Sequence, residues 1–478
     1  VAGADRAGRT LPSAPSSATS DSGSSAEADA APAPSPVQEA RSRSFLPGGW
    51  PLTLLFLLFP VWWALGLSTF VFVILAIPMA AFLIRKRDLW APRGFGFWLL
   101  FVAWMLIGVT MLWADAPGAE PGGGGGGRLM VFGFRAATYL AATIVFLYVL
   151  NSDERDLPNR RVVRLLALMF VFTVCGGVLG VVAPRFEFTS ALEFVLPHGL
   201  AKNEFVNGMI HPAAADIQKV LGYEQSRPIA PFSFSNSWGA NFSMYLPFFL
   251  LAWFGKDAGW RRFVAPVVLL AALAPVVYSL NRGLWAALAV GAVYLAVRLA
   301  MLGRFWMLQL MGGALIIGVI VFFASPLAGI VQQRMEHQHS NDRREQLATE
   351  TVRSVVTGSP ILGFGSTRDV QGTFASIAGG STPDCPACGV PPLGTQGQFW
   401  LVLFSQGLVG VALFCAFFLR RFFAHIQDPW PVAIAGCCVL LFFGLELPIY
   451  DTLGAPLVTV MISLGLMARR QRSMGHAR

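Results

Sequence analysis

Apolar stretches of 15 to 22 residues recur about a dozen times along this 478-residue chain, and that recurrence decides its architecture. A helix of about 20 apolar residues crosses the hydrocarbon core of a bilayer. In lipid, each backbone N–H and C=O must find its partner within the protein, which leaves the helix as the natural form for such runs. Hydrophobic residues make up 55% of the chain and charged residues 13%, about half the charged share of ordinary soluble domains. The sequence therefore predicts an all-α, polytopic membrane protein with about twelve transmembrane helices and two large extracytoplasmic loops. The spans are expected at 51–66, 67–84, 95–113, 129–150, 163–183, 237–254, 263–280, 284–301, 305–325, 398–419, 432–447 and 453–468.

The net charge of +9 raises the question of nucleic acid, and its placement answers it. Basic residues stand between apolar runs, with no recurrent basic and aromatic surface of the kind nucleic-acid grooves need, so no nucleic-acid partner is expected. Residues 1–44, rich in Ala, Ser and Pro, carry too little apolar surface to fold and are expected to form a disordered cytoplasmic tail, with no cleavable signal peptide. Placing that tail inside puts 23 of the 35 Lys and Arg in the tail, the C-terminus and the alternate short connections. Cytoplasmic loops carry such an excess, so a multi-pass plasma-membrane protein with both termini cytoplasmic is expected.

The same assignment places 184–236 and 326–397 outside, where chemistry is expected to gather. Arg282 sits in YSLNRGLWAAL at the outer turn between the seventh and eighth spans. There it either snorkels to the headgroups or offers its planar fork to a phosphate. Arg227 precedes FSFSNSWGANF at the start of the sixth span, and Arg343 and Arg344 stand in SNDRREQLATETVRSVV, a short predicted helix. The last two either contact an anion or form a solvated helix face. Arg135, inside the fourth span, would cost about 2.5–3.5 kcal/mol at the centre of a lipid-facing helix and less near its end, so it should point inward to a carboxylate or substrate. Glu446, Asp451, Asp342, Glu345 and Glu350 are candidate proton acceptors or arginine partners, although hairpin polarity alone accounts equally for Glu446 and Asp451. His337 and His339 fall short of a metal set, and no Gly-rich nucleotide loop or Asp-x-Asp element accompanies them, so neither metal nor cofactor is expected. Cys385 and Cys388, in CPAC, form either a local disulfide or two free thiols. Thr395 is placed to cap the tenth span.

Four segments together resemble the O-antigen ligase and polymerase family: the arginine-led FSFSNSWGANF, SLNRGLWAAL, DRREQ leading to GSPILGFGS, and QFWLVLFSQGLVG. The resemblance runs from about residue 50 to 470 and implies an integral-membrane ligase-like domain over 45–478. It implies an enzyme that moves or polymerises a glycan from a polyprenyl-pyrophosphate carrier onto an acceptor hydroxyl, for cell-surface polysaccharide. Arg227 and Arg282 would then hold the pyrophosphate, with Arg343 or Arg344 a third contact. Where the family has a histidine base, this chain has Gln396, which hydrogen-bonds a sugar but takes no proton. His337, His339 or Glu345 could replace it. Two other readings are weighed: a transporter or flippase of lipid-linked glycan, and a non-catalytic assembly partner.

Overall fold

The computed structural model describes residues 49–119, 125–201, 204–218, 224–324, 329, 331–332, 339–368 and 392–476. The 1–44 tail, His337, Cys385 and Cys388 lie outside the described residues. The described chain is mostly helical. Five helices are long and apolar enough to cross a membrane: Gly126–Asn151, Asn159–Val182, Arg261–Tyr278, Arg282–Met301 and Gln398–His425. Shorter apolar helices cover Val71–Arg85, Phe95–Met111, Phe305–Ile320 and Pro431–Glu446, and further helices run over Ser235–Trp253 and Ala455–His476.

Two features depart from the expectation. The first expected span is two short helices, Trp50–Leu57 and Phe59–Ala64. Pro60 has no N–H to continue the helical ladder and its ring crowds the preceding turn, so the chain bends at Leu58. In addition, the 184–236 segment holds a two-stranded antiparallel sheet, Ala215–Gln218 with Gln225–Pro228, in which Asp216 lies opposite Arg227. The fold is thus helical with one added β-hairpin.

Trp98 anchors the core. Its ring lies among Phe101, Tyr139, Phe414, Phe417 and Phe418, while its Nε1 donates to Thr143 Oγ1 at 2.8 Å, so the buried indole leaves no polar atom unpaid. The Thr143 hydroxyl is in turn bonded to the Tyr139 carbonyl one turn back, and Thr138, Thr173, Thr459 and Ser463 bond the same way. Such back-bonding hides hydroxyls from an apolar surrounding.

The helix Gln398–His425 is broken at Gly407, whose φ of 66° lies in the left-handed region. The break frees the carbonyls of Phe404, Ser405 and Gln406, and the stretch 360–365 takes up the space. Phe364 N and Gly365 N donate to the first two at 2.8 and 2.9 Å, Trp104 Nε1 donates to the third at 3.0 Å, and Leu408 N turns to Pro360 O. These groups thereby find partners, as an interior requires.

Polar contacts sort the connections into two ends. At one end Lys86 reaches Asn151 O and Asp153, Arg469 reaches Glu154, Leu157 O and Asn159, Arg160 pairs with Asp257, and Asp428 holds Arg470 and, through its carbonyl, Arg298. These are the same connections that the charge pattern groups together. The opposite end gathers the β-hairpin, the 279–283 turn, helix His339–Gly358 and the 447–454 turn.

Candidate functional site

The 278–283 turn builds the site from its backbone outward. Leu280 takes a φ of 52°, unusual for a non-glycine residue, and so reverses the chain within a few residues. Asn281 then caps helix 282–301, its Oδ1 accepting from Leu284 N at 3.0 Å. The Ser279 carbonyl accepts from Arg227 Nε at 2.8 Å, which ties the β-hairpin to the turn. Arg227 also reaches Asn236 Oδ1 at 3.4 Å. Arg282 is the first residue of helix 282–301, so its guanidinium adds to the positive end of a 20-residue helix dipole.

Tyr450 closes the cluster from the 447–454 turn. Its hydroxyl accepts the Gly283 amide, and Gly283 permits this only because it lacks a side chain: a methyl there would lie 2.6 Å from Tyr450 Cζ. Burial pushes the Tyr450 phenol above its ordinary pKa, with Glu446 acting the same way against Arg344 and Arg227, so the group stays a neutral donor at physiological pH. Burial pushes Arg227 below its ordinary value, opposed by Asp216, while Arg344 adds to the lowering. Burial likewise lowers Arg344, with Tyr450 opposing and Arg282 adding. Burial is the main cause of each shift, and among the guanidinium groups Arg344 acts on Arg227 while Arg282 acts on Arg344.

The structure thus brings Arg227, Arg282 and Arg344 together. Arg344 rides on helix His339–Gly358, which starts earlier and runs longer than expected; Arg343 is on the same helix, its side chain outside the described residues, as is that of His339. Gln396 is buried and donates its Nε2 to Thr351 Oγ1 at 3.2 Å, a hydroxyl that also accepts from Gly394 N. It lies close in sequence to the cluster's scaffold, since Gln398 N donates to Tyr450 O at 2.8 Å. Thr395 bonds Pro392 O, and Gly397 holds the cap position instead. Arg135 points inward, as its cost in lipid demanded, within reach of Ser366 and Thr367 at 3.5 and 3.4 Å and under the influence of Asp451. Glu446 is fully buried, with Ser243 Oγ 2.9 Å from its Oε1. Glu350 lies near Arg353 at the helix surface.

Two members were missed from sequence. Tyr450 stands in ELPIYD, where the acids drew notice and the phenol between them did not. Arg368 donates to the carbonyls of Ser366, Thr367, Phe364, Met111 and Leu112, and pins the loop after 360–365 to the end of helix 95–111. No protein-family model matches the chain, and no curated protein matches it.

What the arrangement can do follows from its charge. Arg227, Arg344 and the Tyr450 phenol lie within electrostatic reach of one another, and Arg282 at the N-terminus of helix 282–301 within reach of Arg344; donors fixed around one anion would stabilise it far better than water does. Among the described residues no group of three or more His, Cys, Asp or Glu is placed to hold a metal ion.

Proposed function

We propose that this chain is a plasma-membrane glycosyltransferase that transfers or polymerises a glycan from a polyprenyl-pyrophosphate carrier onto an acceptor hydroxyl. The observation that carries the reading is the meeting of Arg227, Arg282 and Arg344 with the Tyr450 hydroxyl at the N-terminus of helix 282–301. A pyrophosphate needs bidentate cationic donors, and a leaving pyrophosphate needs them most in the transition state. The basic connections at the opposite end are what a cytoplasmic face carries, which supports a reading with the arginine cluster at the outer face, both termini inside and twelve spans. Polyprenyl chains would lie along the apolar helix surfaces, and the reaction would use the protein's own donors without metal or nucleotide.

In this account Arg227 and Arg282 hold the two phosphates, Arg344 neutralises charge as the anomeric bond breaks, and Tyr450 keeps the 283 turn in place. Purified protein supplied with carrier-linked glycan tests the reading through release of polyprenyl pyrophosphate. Loss of one such donor costs about 10²–10³-fold, so Arg227→Ala and Arg282→Ala should each slow release by that factor; release at the wild-type rate in both sinks the proposal. Gln396, engaged with Thr351, favours a second reading, an assembly partner that binds the carrier glycan without turning it over. That reading gains if the purified protein binds the donor and releases no pyrophosphate.

A further inference from the structure

Residues of the 447–454 turn also line a cavity of about 820 Å³, within the range of small-molecule sites. Arg227, Arg282 and Arg344 are not among its walls. Arg135, Ser237, Asn241, Thr367, Thr395 and Asp451 are. The arginine cluster and the cavity share structural elements one residue apart. Tyr450 accepts from Gly283 at the arginine cluster, while Asp451 faces the cavity; Asn236 accepts from Arg227, while Ser237 faces the cavity. Neighbouring Cα atoms are only about 3.8 Å apart.

Its chemistry is that of a hydroxyl-rich ligand. Short alcohols, an amide, a carboxylate and the guanidinium groups of Arg128, Arg135 and Arg368 line the wall, and Phe134 and Phe232 add flat faces of the kind sugar C–H groups pack on. Asn241 gives its Nδ2 to Ser237 O at 2.8 Å, yet its buried Oδ1 has no hydrogen-bond partner among the described residues. An unmet acceptor is costly inside a protein, and a ligand hydroxyl would satisfy it. The hydroxyl contacts of Arg135, at 3.4 and 3.5 Å, are long for hydrogen bonds and leave donor capacity for a ligand. Asp451 Oδ1 accepts from Leu453 N at 2.9 Å, which fixes the carboxylate of a residue that lines the cavity.

We propose that this cavity is the acceptor pocket of the transfer reaction, holding a sugar whose attacking hydroxyl gives its proton to Asp451. The proposal rests on the glycosyltransferase reading. The acceptor O–H bond breaks, its proton passes to the Asp451 carboxylate, and the oxygen forms a bond to the anomeric carbon. The bond from that carbon to the pyrophosphate oxygen breaks, and its electron pair leaves with the pyrophosphate toward Arg227, Arg282 and Arg344. Asp451 then returns the proton to water through the cavity. Gln396, committed to Thr351 and without a basic atom, has no part in that transfer.

The test uses purified full-length protein, with carrier-linked glycan extracted from cells lacking the gene as donor. The acceptor probe is the fluorescently tagged oligosaccharide released from that same pool by mild acid. Loss of a positioned base costs about 10²–10⁴-fold, so Asp451→Asn should lower kcat by that factor with donor KM unchanged. Asn241→Leu should raise the acceptor KM by about 10-fold, the effect of one lost polar contact, and leave kcat and donor KM in place. This variant keeps the proposal open to refutation if Asp451→Asn fails to fold. Wild-type constants in both variants, with Arg282→Ala inactive, overturn the acceptor pocket and leave the pyrophosphate reading standing. Equal transfer by wild type and Arg282→Ala, or none by wild type, overturns both.

Discussion

Gly283→Ala puts the geometry of the arginine cluster to a direct test. The added methyl would lie 2.6 Å from Tyr450 Cζ and 2.9 Å from Cε2, and closer still to the hydroxyl oxygen. Carbon atoms pack at about 3.5–4.0 Å, so the ring must retreat by roughly 1 Å or the helix start must shift by as much. Either movement breaks the hydrogen bond that the Gly283 N–H donates to the phenol and displaces Arg282, the preceding residue. Misplacing a positioning group by about 1 Å can cost about 10²-fold in rate. Glycyl transfer to alanine within a helix favours the helix by up to about 1 kcal/mol, so a loss of activity would not stem from a weaker helix. Pyrophosphate release should therefore fall about 10²-fold with the detergent-solubilised Tm within a few degrees of wild type. Tyr450→Ala in the Gly283→Ala background removes the clash and should recover part of that loss. Wild-type release by Gly283→Ala alone would show that the contact between this turn and Tyr450 has no bearing on the reaction.

Other outcomes follow from single contacts. Burial raises the Asp451 pKa, against the Leu453 amide and Arg135, with Tyr139 the other titratable group that senses it; a base works ionised, so transfer should fall as pH drops through a point above the ordinary carboxylate range. A raised carboxyl pKa also means that the folded state holds the proton more tightly, so Asp451 should favour folding less as pH rises past its unfolded value; Asp451→Asn should abolish both trends in a pH series. Gln396→His should change transfer by less than about 10-fold, since the base is placed at Asp451, and a gain of about 10² would assign it to position 396 instead. Arg368→Leu should abolish the five-carbonyl clasp and destabilise the protein by about 3 kcal/mol or more, read as a lower Tm in detergent. Gly407→Ala should express poorly, because its methyl would press on the backbone of Pro360 and Ile361 at a left-handed φ that alanine resists.

The helices were legible because a bilayer fixes their length and apolarity, and both are written locally. Runs such as 263–280 and 284–301 coincide with Arg261–Tyr278 and Arg282–Met301 to within two or three residues. Arg282 was legible for the same reason: a charge between two apolar runs marks a turn. The break at Leu58 within the first expected span was not legible from apolarity alone, because it comes from Pro60. The hairpin at 215–228 was missed because four-residue strands without alternation give no periodic signal, and its Arg227 contact to the Ser279 carbonyl joins residues over 50 positions apart. Tyr450 was missed on similar grounds. Its partners Gly283, Arg344 and Arg227 are brought to it by folding, and no spacing in the sequence records that.

Mass spectrometry of carrier-linked glycans tests the central claim most directly, in cells lacking the gene and complemented with wild type, Arg227→Ala or Arg282→Ala. If the arginine cluster holds a pyrophosphate leaving group, undischarged glycan accumulates on the carrier in the deletion and in both variants, and clears with wild type. An identical carrier-linked pool in all four strains would contradict the account, leaving Arg282 a turn residue that reaches for the headgroups.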